Sequence, residues 1–461
     1  MPDTVSDGAL GPFPSGTFQR VADLALSLSA DQIPEATLRR ASLLLLDTLA
    51  ICATSAPMEA GRIGRETATR LFSAGSEKDA ARMLFDGRKV SVAGAVYAGA
   101  TQTDNLDGHD GYNPAKGHVG VAVVPALAAL AERHPDLSGR EALAALVVGY
   151  EIACRAGLAL HATVADYHTS GAWNALGVAA MAVRLMGGDA ECLRQALGIA
   201  EYHGPRSQMM REIATPTMLH DGSGWGGLAG ITAAILARSG FTGAPAVSVE
   251  ADEAASFWAG LGEDWLTDEQ YIKPYPTCRW GHGAIDAARM ILNRDAPDIR
   301  AIAEIRINTF EAGAALYSGM PRTTSEAQYS LPFAVAAMLA HGRVGVAEIT
   351  GAGLADPVVA TLVSKTQVSV ERRHEARFPA GRWADVELVM QDGRRLASGD
   401  TDARGGPTTP FTDDEIIAKY QEFAGSALGQ DRANALLQAG LALTDGASRF
   451  ADLAAHLYRP L

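Results

Sequence analysis

The sequence predicts a mostly α-helical protein. A large all-helical domain spans residues 1–274 and 404–461, and a smaller α+β lid domain, residues 275–403, is inserted into it. Three observations predict this. From about residue 17 to about 270, apolar residues recur at helical spacing in segments rich in Ala and Gly. After about residue 275 the period changes to a two-residue alternation. The Gly/Pro/Thr stretch Gly405–Pro410 is followed by Thr412-Asp413-Asp414-Glu415, a capping box that opens a new helical stretch to the C-terminus.

In chain order, Pro34 suits a first helical turn. The helix over 34–50 then places Leu38, Ala41, Ser42, Leu45 and Leu49 on one stripe. Leu43, Leu44 and Leu46 lie off that stripe, so the helix is buried on most sides. Further helices are expected over 91–102, 121–132, 139–158, 172–186, 190–201 and 225–239. Their small side chains let helix axes approach closely, which suits a chain with only 6% aromatic residues. Beyond 275, a helix over 282–292 leads into a half-buried strand over 302–310. A helix over 327–339 and a strand over 366–371 follow. Segments 384–390 and 394–397 flank Asp392-Gly393, a hairpin signal. The final helices are expected to return to the first bundle, which makes the smaller domain an insertion.

Composition excludes several functions. Apolar residues make up 48% and charged residues 20% of 461, which is globular. The net charge of −14 argues against a nucleic-acid partner, which needs a basic face. The longest apolar run, Val119–Ala131, is shorter than the roughly 20 residues that span a bilayer, so no membrane partner is expected. The N-terminal residues lack a basic and an apolar signal segment. Cys52, Cys154, Cys192 and Cys278 form no CxxC pair, which suits reduced thiols and a cytoplasmic location. Phosphate-loop, HExxH and GxSxG motifs are absent.

Polar clusters carry the candidate chemistry. Thr103–His118 holds Asp104, Asp107, His109, Asp110, Tyr112, Lys116 and His118 in one loop between apolar helices. Such a set can supply a base and an anion contact. No ligand spacing favours a metal, and none is expected. Further clusters are Asp166–Gly171 with His168, Thr217–Trp225 with His220, and Glu326–Ser330 with Tyr329. In Lys273–His282, two prolines stiffen a backbone that carries Lys273, Arg279 and His282, as a clamp for an anion would need.

These clusters, together with LLLLDTLAICATSA, GHVGVAVVPALAALAE, YIKPYPTCRWGHGAIDA and SEAQYSLPFAVAAML, resemble the MmgE/PrpD family over nearly the whole chain. That family includes 2-methylcitrate dehydratase, cis-aconitate decarboxylase and iminodisuccinate epimerase. The resemblance implies a homodimer that needs no organic cofactor and moves a proton beside a carboxylate in a small polycarboxylate. It assigns Asp104, His118, His168 and Lys273 to catalysis, and His220 is added as a catalytic candidate in place of a family residue that is absent. Asp107, His109, Tyr112, Lys116, Arg279, His282 and Tyr329 are left to bind the substrate or orient an imidazole. The decarboxylase-type lysine ahead of the Gly-rich helix is absent; Met218 or His220 stands there. On these departures an iminodisuccinate-type epimerase is favoured over a hydro-lyase or decarboxylase, with a non-catalytic scaffold as the third reading.

Overall fold

A computed structural model describes residues 15–461. Its centre is the Glu35–Ser55 helix, buried at every position from Ala41 to Ser55. Helices Val92–Asp104, Gly120–Ala131 and Gly139–Thr163 pack around it. So do Asp413–Leu428 and Gln430–Leu441, so the end of the described chain lies on its beginning. The close approach rests on small residues. A Cβ at Gly440 would stand 2.4 Å from Leu46 Cδ2, and one at Gly177 would stand 2.3 Å from the Gly149 carbonyl oxygen. Gly139–Thr163 is, among the described residues, the helix long and apolar enough to cross a membrane, yet it is enclosed by its neighbours.

The later segment carries a four-stranded sheet. Ile302–Thr309 runs parallel to Thr366–Val370 on one side and antiparallel to Ala384–Met390 on the other. Arg395–Ala397 adds an antiparallel edge. Gly393 takes the left-handed φ of +87° that the hairpin turn requires. Helix His282–Asp295 packs on Ala384–Met390 and on Leu331–His341. The two ends of this segment lie together. The Ile272 amide donates to the Gly405 carbonyl at 2.9 Å, and Arg279 donates to the carbonyls of Ala403 at 2.9 Å and Arg404 at 2.5 Å.

Two expectations need correction. The region 17–270 is not continuously helical. Ala80–Arg82 and Lys89–Ser91 form an antiparallel pair, and Pro205 and Pro216 fall in a largely irregular stretch around the short Met209–Ala214 helix. The helix expected over 327–339 is two helices, Thr324–Gln328 and Leu331–His341. Ser330 caps the second, accepting from the Phe333 amide at 3.3 Å, and Pro332 sits in its first turn. The break falls at Tyr329, whose position the site uses.

Filling the Gly440 contact tests the return of the last helices. Gly440→Val should destabilise the protein by about 1–3 kcal/mol through overpacking against Leu46. Urea denaturation reads this as a lower midpoint at unchanged slope.

Candidate active site

Helix Val92–Asp104 ends in the loop that carries most of the site. Lys273 is fully buried and its Nζ pairs with the Asp107 carboxylate. The same Nζ lies 3.3 Å from the Asp107 carbonyl oxygen. Gln328 accepts from the Asp107 amide at 2.6 Å, which ties the loop to the Thr324–Gln328 helix. Tyr150 donates to Asp110 Oδ2 at 2.5 Å.

The Asp110 carbonyl sets the histidines. It accepts from His118 Nδ1 at 2.6 Å, so that nitrogen carries the hydrogen and Nε2 keeps the lone pair. Nε2 faces Asp221 Oδ2 at 3.6 Å and Asp107 Oδ1 at 3.9 Å. His109 stands edge-on to His118, with ring centres 4.6 Å apart, and its Nε2 is 3.6 Å from Asp104 Oδ1. Ser170 Oγ donates to Asp221 Oδ1 at 2.5 Å and accepts from the His118 amide at 2.9 Å. Asp221 and Gly222, at φ +46° and +67°, turn the chain into the Ser223–Arg238 helix. That turn lets the Ser223 amide donate to Asp104 Oδ2 at 3.1 Å. Glu212 accepts from the Asp221 amide at 2.8 Å and from the Tyr329 hydroxyl.

Burial decides most of the charges. It lifts Asp104 and Glu212 well above the usual carboxylate range, and the nearby Asp221 carboxylate pushes both further. Burial would also raise Asp107, but the buried Lys273 ammonium beside it outweighs that effect and holds its carboxyl well below the usual carboxylate range. Burial lowers His109, His118 and His220, and Lys273 adds to the effect on each. Burial thus favours neutral imidazoles and the protonated forms of Asp104 and Glu212, beside an Asp107 anion paired with Lys273.

A cavity of about 680 Å³ opens onto this cluster. Its buried end is formed by Asp104, Glu212 and His220, while Leu219 and Trp225 stand at its exposed end. Arg211 is also in its wall. Both ring nitrogens of His220 are buried, with the Thr217 backbone nearby, and its ring lies 5.4 Å from that of Tyr329.

Of the residues expected from the sequence, Asp104, Asp107, His109, His118, His220, Lys273 and Tyr329 converge here. The others point elsewhere. Tyr112 lies beside Cys154 and Glu269. Lys116 Nζ sits 4.3 Å over the Tyr167 ring. Arg279 stacks on Tyr271 and holds the carbonyls of residues 403 and 404. His282 Nε2 is bound by the Thr277 carbonyl at 3.0 Å. His168 forms backbone contacts with His161 and Gln208. Four residues outside the expected set belong to the cluster: Asp110, Ser170, Glu212 and Asp221. Among the described residues His374, Asp385 and Asp400 have metal-ligand types in reach of one another. Arg373 already pairs with both carboxylates and Arg377 with Asp400, so they compete with any cation.

The geometry agrees with what the chain matches. The MmgE/PrpD N-terminal domain matches residues 19–264, and the MmgE/PrpD C-terminal domain matches residues 275–444. The chain belongs to the MmgE/PrpD family. Within that family it is 27% identical to the cis-aconitate decarboxylase of Homo sapiens, over 75% of each chain. It is 25% identical to the cis-aconitate decarboxylase-like protein oryM of Aspergillus oryzae, over 91% of this chain and 93% of that one. The cis-aconitate decarboxylase of Aspergillus terreus is 23% identical over 91% of each. The Lys273–Asp107 pair ties the first matched region, which holds Asp107, to the ten residues between the two matches, which hold Lys273. The C-terminal match includes the sheet segment and the helices that pack on Glu35–Ser55.

Two measurements test the charge assignment. An infrared difference spectrum at pH 7 should show protonated-carboxyl C=O bands that vanish in Asp104→Asn and Glu212→Gln. Bands that persist in both variants would place the protons elsewhere. Burial also pushes Asp110 up to about 7. The unfolded chain releases that proton near pH 4, the folded chain later. Asp110 therefore lowers stability as pH rises from about 4 to about 7. Asp110→Asn should flatten that part of the denaturation free energy against pH.

Proposed function

We propose that this MmgE/PrpD enzyme is a lyase that needs no organic cofactor and decarboxylates a small polycarboxylate of the cis-aconitate type. The observation that carries the reading is the convergence of two buried carboxyls, Asp104 and Glu212, with the buried His220 imidazole at the closed end of one cavity. The relatives named above support the lyase side over the iminodisuccinate-type epimerase that the sequence favours.

Such a decarboxylation breaks the C–C bond to the departing carboxylate. Its electron pair forms a new C=C, the old C=C shifts, and the carbon beside a remaining carboxylate takes up a proton. The enzyme must supply that proton and accommodate two carboxylates in a dry site. Protonated Asp104 and Glu212 meet both demands. They offer protons and do not repel an anion as carboxylates would. His220, which with Met218 stands where the decarboxylase-type lysine is missing, can accept a proton on one ring nitrogen and pass one on from the other. His118 has a fixed tautomer with a basic Nε2. Lys273 offsets Asp107, and Arg211 supplies a cation in the cavity wall.

In this reading the sheet segment is the lid of the helical part, because Lys273, Gln328 and Tyr329 reach the site from its edge. The enzyme is also proposed to act as a homodimer. Tyr202, Leu219, Trp225 and Phe241 expose large apolar surfaces that a second copy would cover. Its four free cysteines suit a reducing, cytoplasmic setting.

Incubation with cis-aconitate in D₂O tests the reaction. Release of CO₂ with one deuterium on a carbon next to a carboxylate is expected. Deuterium exchange at a stereocentre of iminodisuccinate, with no CO₂ from cis-aconitate, would return the assignment to an epimerase. Formation of an alkene from 2-methylcitrate would make it a hydro-lyase. Lys273→Ala should reduce turnover by at least 100-fold, because it leaves Asp107 a buried, unpaired anion. Near-normal turnover would remove Lys273 from the site.

A further inference from the structure

The loop that carries Asp107 is held by a second buried lysine, from the far end of the chain. Lys419 lies on the Asp413–Leu428 helix and is buried. Its Nζ stands 2.7 Å from Asp47 Oδ1 and donates to the Gly108 carbonyl at 2.6 Å. Asp47 is fully buried in the Glu35–Ser55 helix. Consecutive carbonyls, Asp107 and Gly108, are thus gripped by different lysines, Lys273 and Lys419. Gly108 also lies hard against the central helix, where a Cβ would come within 2.8 Å of Ile51 Cδ1. Two residues further on, the Asp110 carbonyl sets the hydrogen on His118.

Nothing in this arrangement brings Lys419 to the cavity wall. An ion pair buried merely for stability would be an expensive choice, since apolar side chains of similar volume often serve as well. What the ammonium adds is a donor aimed at one loop carbonyl. We propose that Lys419, charge-balanced by Asp47, is a positioning residue for the reaction. By holding the Gly108 carbonyl it fixes the 107–110 backbone, and so keeps both the partner of Lys273 and the carbonyl that orients His118 in register. The proposal rests on the reading that Lys273 and His118 belong to the reacting site.

Two variants remove the donor without leaving a buried charge: Asp47→Asn/Lys419→Met and Asp47→Leu/Lys419→Met. The second replaces the ion pair with an apolar one, so failure of the first to fold leaves a working alternative. Each is measured for melting temperature, for kcat and KM with cis-aconitate, and for hydrogen exchange over residues 105–110. The expected result is a melting temperature near that of the natural chain, at least a tenfold loss of kcat, KM within about twofold, and faster exchange in that segment. A folded variant with unchanged kcat overturns the proposal, whether or not its exchange is faster. If the natural protein does not turn over cis-aconitate, the functional reading fails separately. Exchange then decides whether Lys419 holds the loop: unchanged exchange overturns the proposal, and faster exchange supports it.

Discussion

The pair between Lys273 and Asp107 is the constraint on which the site depends. An isolated ammonium or carboxylate in this interior would cost several kcal/mol, so each requires the other. Meeting that requirement brings the segment before the sheet against the loop after the Val92–Asp104 helix. The rest of the cluster follows from it. Gln328 can reach the Asp107 amide, and Tyr329 can reach Glu212, because the crossing is fixed at Lys273. The Ile272–Gly405 hydrogen bond and the Arg279 contacts then bring the chain back beside its point of departure.

Around that pair the protein lets burial, rather than ion pairing, set most protonation states. Four acids, Asp104, Asp107, Asp221 and Glu212, lie in the cluster, and one of them, Asp107, is paired with a lysine. If all four were ionised, the cluster would repel a polycarboxylate. Desolvation eases the conflict by pushing Asp104 and Glu212 toward their neutral forms. The same burial keeps the imidazoles neutral. An acidic protein can thus offer an anion a site with few unpaired negative charges.

The sequence made the helices and their small-residue packing legible, because period and composition report directly on burial. It also marked Lys273, where Pro274 and Pro276 stiffen the backbone, and the dense loop from Asp104 to His118. It could not tell which way each side chain of that loop turns. Tyr112 and Lys116 share the loop with His118 yet face other neighbours. Arg279 looked like an anion clamp and serves carbonyl groups instead, since a guanidinium suits either acceptor. Glu212 was illegible. It sits in Met209–Ala214, a short helix whose lone acid reads as a surface residue. The Asp221 amide, nine residues on, and the Tyr329 hydroxyl, distant in sequence, give it a role. Tyr329 gained its place from the break that Ser330 and Pro332 impose, which a continuous helical pattern had hidden.

The neutral Asp104 and Glu212 also change what the formal charge of −14 means. That number describes the unfolded chain, in which both groups are ionised at neutral pH. In the native molecule burial favours the protonated form of both, while it favours the neutral form of the buried histidines. Folding and protonation are thus linked, with uptake favoured at the buried acids and release at the buried histidines.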